Sequence, residues 1–290
     1  MTTLKRCLIT GANSGIGKAA AIQLARAGCH VIMACRNQAR GEAALHDVLA
    51  SSPRAQAELM LVDLSLQSSI RALAEAFLTR YDRLDVLIHN AAVFDISQKQ
   101  ARFTEEGVEL FWATNHIGPV LLTDLLLDAL EAGPQGRVIT IGTKGLLAKP
   151  RMKIDLSDPE FRQREFSATE AYYQSKLAQA VYTRWLAEQL EDTTVTVNCI
   201  RVPAVQVNVD KFQNVSDWMK KLYALKSRFA LTPGQMAETY VWAALAEELA
   251  GVTGKCFDEN RREVDFPRFA RKPDNIDAVM HLTLGYLPQK

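Results

Sequence analysis

The sequence alternates short runs of β-branched and other apolar residues with longer segments of helical periodicity, from residue 6 to about residue 257. Strands that alternate with helices form βαβ units, whose right-handed crossovers give a parallel sheet covered on both faces. No linker, composition break or internal repeat interrupts the pattern. We therefore predict an α/β fold with one doubly wound parallel sheet, as a single domain over residues 1–290.

The predicted elements follow one another closely along the chain. The predicted strands are Arg6–Thr10, His30–Cys35, Glu58–Val62, Leu84–His89, Arg137–Gly142, Val195–Ile200 and Gly254–Phe257. The predicted helices are Gly15–Ala27, Gln38–Ala50, Leu66–Arg80, Glu105–Ala132, Ala168–Leu190 and Gly234–Leu249.

One segment outside this pattern, at about 203–233, carries an apolar stripe at helical spacing, flanked by basic residues. It admits three interpretations: a surface helix packed on the core, a lid over an apolar substrate pocket, or an interfacial helix that touches a membrane. The apolar stripe consists of Phe212, Val215, Trp218, Met219, Leu222, Tyr223, Leu225 and Phe229.

Charge and cysteine content limit the class of protein. A formal net charge of +1 argues against a nucleic-acid binder, which needs a basic excess. The five cysteines form no CxxC pair, which indicates reduced thiols and a cytoplasmic setting. The first predicted strand leaves no room for a signal peptide. The longest apolar run, Val120–Leu130, contains Asp124 and Asp128 and is too short to span a bilayer.

A glycine-rich loop joins the first strand to the first helix. It reads Gly11, Ala12, Asn13, Ser14, Gly15, Ile16 and Gly17, with the spacing GxxxGxG. Glycines allow a tight turn and a close backbone approach to a pyrophosphate, while the helix N-terminus offers free N–H groups. This context predicts a Rossmann-type dinucleotide site.

The end of the second strand indicates which dinucleotide is bound. Many such folds place an acidic residue here to bind the adenosine ribose, but this chain has Cys35, Arg36 and Asn37. Arg36, with Arg40 one helical turn further on, can clamp a 2′-phosphate that an acid would repel. The prediction is NADP(H) rather than NAD, unless Arg36 is only a solvated surface charge.

Further motifs resemble those of the short-chain dehydrogenase/reductase family over nearly the whole chain. Residues 10–17 match its TGxxxGIG motif, residues 89–92 (His-Asn-Ala-Ala) resemble NNAG, and residues 172–176 match YxxxK. The phrases at 34–37, 114–118 and 175–178 resemble the retinol dehydrogenase-like branch, which also includes relatives of protochlorophyllide reductase.

The resemblance implies roles for particular residues. It implies catalysis by Asn115, Thr143, Tyr172 and Lys176, with Asn115 holding a relay water and Lys176 holding the nicotinamide ribose. It also implies that the helices at 105–132 and 168–190 form the interface of a homodimer or homotetramer. The implied cofactor contacts are Gly11, Asn13, Ser14, Gly15, Ile16, Gly17, Arg36, Asn37, Arg40, Asp63, Leu64, Asn90, Ala91, Ala92, Tyr172, Lys176 and Val205.

The Tyr172–Lys176 pair also makes chemical sense without the family. Residues four apart project from one helical face, so we expect the Lys176 ammonium to lower the tyrosine pKa from its usual value of about 10. Tyr172 would then exchange a proton with a substrate oxygen. Tyr173 has no lysine four residues beyond it and is the weaker candidate. His116 lacks companions at metal-ligand spacing, so no metal site is predicted.

Several positions depart from the family pattern. Thr143 replaces the usual serine but keeps a hydroxyl, while His89 and Ala92 replace Asn and Gly. The segment after the sixth strand, residues 202–207, lacks the threonine of PGxVxT, so the Val205 backbone or, after a one-residue shift, Asn208 would contact the carboxamide.

These features favour an NADP-dependent carbonyl reductase or alcohol dehydrogenase that acts on a hydrophobic small molecule. The alternative is an NADP(H)-binding sensor or scaffold with weak catalysis, which the changes at Thr143 and after the sixth strand motivate. A Rossmann methyltransferase would explain the glycine loop but not YxxxK or Arg36. Peripheral membrane contact stays open.

Overall fold

The chain builds one seven-stranded sheet in which every neighbouring pair of strands is parallel, in the order β3-β2-β1-β4-β5-β6-β7. The computed structural model describes residues 4–95, 97–206 and 230–287. The order reverses between β1 and β4, which is the topological switch point of a doubly wound fold. The strands are β1 (Arg6–Thr10), β2 (His30–Cys35), β3 (Gln56–Leu61), β4 (Val86–His89), β5 (Arg137–Thr143), β6 (Thr196–Val202) and β7 (Cys256–Phe257).

Helices cover both faces of this sheet, so the predicted α/β fold is confirmed. The fourth helix contains a π-helical turn at Ala113–Ile117, between Leu110–Trp112 and Gly118–Glu131. The helices are α1 (Gly15–Arg26), α2 (Gln38–Ala50), α3 (Gln67–Arg80), α4 (Leu110–Glu131), α5 (Ala168–Gln189), α6 (Pro233–Leu245) and α7 (Pro273–Leu284).

Alternation along the central strands divides the core into two layers. In β1, Leu8 joins the cluster that contains α3, α4, α5 and α7, whereas Ile9 joins the cluster that contains α1, α2 and α6. Both faces of the strand are buried, so an apolar side chain is favoured at every position, as is typical of parallel sheets. This is why the strands read as continuous apolar runs and are readily located in the sequence.

Most predicted boundaries agree with the structure to within two residues, but three helical features differ. The helix predicted at Gly234–Leu249 ends at Leu245, because Ala246 has an extended backbone and a separate turn follows at Glu247–Leu249. The helix predicted from Glu105 begins at Leu110, because residues 102–109 form a turn in which Gly107 has φ +79° and the Leu110 amide donates to the Arg102 carbonyl. Helix α7 was not predicted. Its buried residues Ile276, Val279 and Met280 complete the layer beside α5.

Helix α4 is long and apolar enough to cross a membrane, although 78% of its apolar window is buried inside the protein. The sequence analysis considered only uninterrupted apolar runs, whereas this 22-residue helix qualifies on mean hydropathy, by length and composition alone. Burial on this scale is what a core helix requires, since α4 packs on α3 and on the sheet.

The helix begins at a buried acidic residue. Glu109 Oε2 accepts a hydrogen bond from the Trp112 amide at 2.9 Å, and the Glu109 amide donates to Glu160 Oε2 at 2.8 Å. Burial, opposed by the helix N–H groups and reinforced by the Glu160 charge, raises the pKa of Glu109 to about 7. Folding therefore favours the protonated acid at this position.

This raised pKa predicts a pH-dependent loss of stability. Because the folded pKa of about 7 exceeds the unfolded value, the folded state binds more protons between about pH 4.3 and 7, and stability falls as pH rises through that window. Glu109→Gln keeps an oxygen that can cap Trp112 but removes the charge. We expect it to raise the free energy of unfolding at pH 8 by about 1–3 kcal/mol, with little gain at pH 4.5.

Urea unfolding of the variant and the wild type at both pH values measures this difference. Glu105→Gln, at an exposed position four residues earlier, is the matched control and should change neither value. An equal effect of Glu109→Gln at both pH values would contradict a titrating Glu109.

Candidate functional site

A groove of about 400 Å³ lies at the carboxyl edge of the sheet, at the switch point between β1 and β4. Residues from β2, β3 and the segment after β6 also line it. Every predicted cofactor contact other than Tyr172 and Lys176 lines this groove. Its lining also includes residues that the sequence analysis did not select: Ala34, Val62, Val93, Thr114, Gln206 and Pro233.

The glycine loop forms one end of this groove. Gly11 and Gly15 have φ of +68° and +57°, which other residues rarely adopt. A Cβ on Gly17 would lie 2.4 Å from Asn90 Nδ2 and 2.5 Å from the Gly11 carbonyl oxygen. Since α1 begins at Gly15, its first N–H groups lie at the groove, where an anion is stabilised. The loop thus fits a pyrophosphate.

Two polar side chains fasten β1 to β4 beneath the loop. Asn90 Nδ2 donates to the Thr10 carbonyl at 2.9 Å and to the Gly11 carbonyl at 3.3 Å. Thr10 Oγ1 donates to the Ile88 carbonyl and accepts from the Ala91 amide at 3.0 Å. These bonds hold the glycine loop against residues 90–92, so the width of the groove is set by the two strand ends.

The other end of the groove carries the charged residues expected at an adenosine. Arg36 is 67% exposed and lies 3.7 Å from Asp63 Oδ2. Asn37 caps α2, because its Oδ1 accepts from the Arg40 amide at 2.9 Å. Asp63 is itself held in a turn by the Ser65 amide and hydroxyl. A cation and a carboxylate therefore stand side by side where a ribose or its phosphate would bind.

Thr143 and Tyr172 lie close together at the same edge of the sheet, beyond the groove. Thr143 ends β5, and its hydroxyl is near enough to the Tyr172 phenol, at the fifth residue of α5, to lower the pKa of Tyr172. The same hydroxyl oxygen accepts from the Gly145 amide at 3.2 Å. Burial raises the pKa of Tyr172 to about 12, although the Thr143 hydrogen bond lowers it. The Phe94 ring, 4.6 Å from the Tyr172 ring, contributes to this apolar surrounding.

Lys176 does not have the effect on Tyr172 that was expected. Its ammonium donates to the Ile141 carbonyl at 2.8 Å and to Gln179 Oε1 at 3.0 Å. Burial lowers the pKa of Lys176 to about 8, and Lys176 is not among the groups that shift the pKa of Tyr172. The expectation of a lowered tyrosine pKa is therefore wrong for this structure, because desolvation of the phenol raises the pKa and Lys176 does not oppose that shift.

Asn115 lies in the π turn of α4 and is fully buried. Its Oδ1 accepts from the Val93 amide at 2.7 Å, and its Nδ2 donates to the Val93 carbonyl at 3.1 Å and to Ser175 Oγ at 3.0 Å. The side chain thus joins the loop after β4 to the residue preceding Lys176. This arrangement matches a structural role in satisfying backbone groups, and the relay role stays a prediction.

The remaining histidine and tyrosine candidates have structural contacts. His116 Nε2 is 2.8 Å from Thr283 Oγ1 in α7, and His89 Nε2 is 2.7 Å from Thr123 Oγ1. Burial lowers the pKa of each histidine to about 3, so both are neutral at neutral pH. Tyr173 packs against the core and under Lys149. The described residues hold no group of three metal-ligating side chains.

A second cavity, of about 500 Å³, borders Thr143 and Lys176 on the side away from the glycine loop. We call it the β5 cavity; it lies between the end of β5, residues 144–152, α5 and residues 265–271. Sequence reasoning missed it, because residues 258–271 carry no motif and approach α5 only in the folded chain.

The segment after β6 is described up to Gln206. Val205 lines the groove as predicted and forms a bridge with Leu231, while the Gln206 amide donates to the Leu231 carbonyl at 2.9 Å. Asn208, the alternative carboxamide contact, and most of the expected lid at 203–233 lie outside the described residues.

Known proteins resemble this chain over most of its length. The family described as short chain dehydrogenase matches residues 5–151. Retinol dehydrogenase 14 of Homo sapiens is 35% identical over 95% of this chain and 86% of that protein. Retinol dehydrogenase 13 of Homo sapiens is 34% identical over 91% of this chain and 78% of that protein.

A solved structure of an uncharacterized protein from Mycobacterium Paratuberculosis covers 97% of this chain and 92% of its own, with a TM-score of 0.74 and 27% identity. The groove at the switch point, the Thr143–Tyr172 contact and these similarities agree with one another. The chain belongs to the short-chain dehydrogenase/reductase family, in its retinol dehydrogenase-like branch, and is an oxidoreductase of that type with a site for a nicotinamide cofactor.

Proposed function

We propose that this protein is an NADP(H)-dependent carbonyl reductase or alcohol dehydrogenase that acts on a hydrophobic small molecule. The observation that carries the proposal is the position of the Thr143 hydroxyl next to the partly buried Tyr172 side chain, at the sheet edge that also forms the dinucleotide groove. A bound nicotinamide supplies or accepts the hydride. The side chains of the protein handle the proton and hold the substrate oxygen.

The raised pKa of Tyr172, about 12, makes the phenol a proton donor at neutral pH. Thr143 and Tyr172 can together hydrogen-bond a carbonyl oxygen, and Tyr172 transfers its proton as that oxygen becomes negative. Lys176 would hold ribose hydroxyls only after its ammonium leaves Ile141 or Gln179, so this role remains part of the proposal.

Two features support an apolar substrate. The β5 cavity next to Thr143 is lined by side chains such as Leu146, Met152, Leu177, Phe266 and Phe269. The two human relatives described above are named for retinol, a long apolar alcohol.

The proposed cofactor preference rests on Arg36. Its guanidinium lines the groove close to Asp63, and an exposed arginine can turn to clamp a 2′-phosphate with two parallel bonds. Arg40, one helical turn on, lines the same part of the groove. Asp63 would then be free to bind the adenine end.

Four further predictions concern the setting of the enzyme. Association through α4 and α5 stays a prediction, and α7 of the same chain already packs against α5, which leaves less of that face for a second copy. A cytoplasmic location, a single domain over 1–290 and peripheral membrane contact also stay predictions.

Arg36→Ala tests the cofactor preference. We expect the Kd for NADPH to rise about 10–100-fold, because one charge-assisted contact is lost, and the Kd for NADH to change less than about threefold. Titration with each cofactor, followed by tryptophan quenching, measures both values. Arg54→Ala, at an exposed arginine outside the groove, is the control. Equal losses for the two cofactors would remove Arg36 as the phosphate clamp.

Tyr172→Phe tests the proton donor. We expect kcat for NADPH-dependent reduction of decanal to fall about 10²–10⁴-fold while NADPH binding is retained, because only the phenolic proton is removed. Tyr173→Phe removes the neighbouring hydroxyl and is the matched control. A wild-type rate in Tyr172→Phe would refute the assigned role. Tight NADPH binding without turnover of any carbonyl in the wild type would favour the sensor or scaffold instead.

A further inference from the structure

The β5 cavity differs from an ordinary apolar pocket in the charge of its lining. Its volume of about 500 Å³ is in the range that holds small molecules. Lys176, Leu177 and Leu146 are buried and form its interior, while Leu147, Arg151 and Arg268 are exposed and form its rim. The interior therefore borders Thr143 and Lys176, and the rim is in contact with solvent.

Basic side chains dominate the charged part of this lining. Apart from Lys176, the described lining residues include one carboxylate, Asp265, against five cations: Lys149, Arg151, Arg201, Arg268 and Arg271. The whole chain has a net charge of only +1, so a local excess of this size is a feature of the cavity rather than of the composition.

The excess extends along the rim. An adjoining cavity of about 410 Å³ shares Arg151 and Arg268 with the β5 cavity. It adds Lys153 and Lys272, and the described residues that line it include no acid. Cations therefore border both the rim of the β5 cavity and the cavity next to it.

Most of these cations lack a partner of opposite charge. Asp265 Oδ2 pairs with Arg271 at 3.1 Å, and within residues 4–95, 97–206 and 230–287 no carboxylate pairs with Arg151 or Arg268. Arg201 Nε is buried and has no hydrogen-bond partner among the described residues. A buried donor without a partner carries a free-energy cost that a bound anion would offset.

The geometry points to an amphipathic anion as the occupant of the β5 cavity: a molecule with an apolar chain and a carboxylate or phosphate at the end remote from its carbonyl carbon. The carbonyl would lie at Thr143, the chain along Leu177 and Phe266, and the anionic group at Arg151 and Arg268. This inference rests on the proposed function for the carbonyl, whereas the anion and the chain need only the cavity itself.

The buried part of the lining favours a single small molecule over a membrane surface. Buried residues, including the lysine of the YxxxK motif, line the interior, and a lipid bilayer would contact only the rim.

Binding of decanoate, with 1-decanol as the neutral probe of equal chain length, tests the inference without any turnover. Isothermal titration of the full chain measures both affinities below the micelle concentration. We expect wild-type protein to prefer decanoate, and Arg151→Ala/Arg268→Ala to reduce that preference at least tenfold. Arg54→Ala/Arg71→Ala changes the charge equally at exposed positions elsewhere and should leave the preference unchanged.

Equal affinity for decanoate and 1-decanol, or the same preference in both double variants, would overturn the inference. So would binding to phosphatidylserine vesicles that needs Arg151 and Arg268 in the absence of decanoate binding, which would assign the cations to a membrane.

A second assay separates this inference from the proposed function. We expect 10-oxodecanoate to be reduced with a kcat/KM at least tenfold above that of decanal. Equal values for the two aldehydes would leave the reductase in place and remove the anion site. Arginine-dependent decanoate binding without reduction of either aldehyde would retain the anion site and remove the reductase.

Discussion

The junction between β1 and β4 is the constraint on which the site depends. Asn90 and Thr10 bond each strand end to the backbone of the other, and Gly17 packs so closely on Asn90 that no side chain fits between them. Parallel strands diverge at a switch point, and without these bonds the crevice could widen. These bonds fix the width of the crevice. They thereby hold the glycine loop, the start of α1 and residues 90–92 in one arrangement, which a bound dinucleotide must fit.

Burial governs the reacting side of the sheet in a similar way. It raises the pKa of Tyr172 to about 12 and lowers that of Lys176 to about 8, because each group loses hydration of its charged form. Both shifts favour the neutral form of the group. The Tyr172 phenol therefore keeps the proton that it can donate, and Tyr172 and Lys176 do not form an ion pair. The Lys176 ammonium donates a hydrogen bond to the backbone carbonyl of Ile141, which positions the ammonium under the end of β5.

The sequence was sufficient for features that depend on local pattern. The strands, the glycine loop and the convergence of residues such as Arg36, Asp63 and Asn90 on one groove follow from periodicity, strand order and motif spacing. Features that depend on burial could not be predicted, since desolvation is a property of the folded surroundings. The raised pKa values of Tyr172 and Glu109 are of this kind. Helix α7 and the β5 cavity were missed because their residues carry no motif and acquire meaning only through contact with α5.

The π turn in α4 accommodates one residue more than an α-helix would in the same length. That extra residue lets two consecutive side chains reach opposite neighbours: Asn115 contacts Val93 and Ser175, and His116 contacts Thr283. A shortening by one residue here would restore regular helix without rotating the flanking turns, so the apolar contacts of α4 would survive. After such a shortening, however, only one of the two sets of contacts would be kept: that of Asn115 or that of His116. The π turn therefore ties both the loop after β4 and the C-terminal helix α7 to the same point of α4.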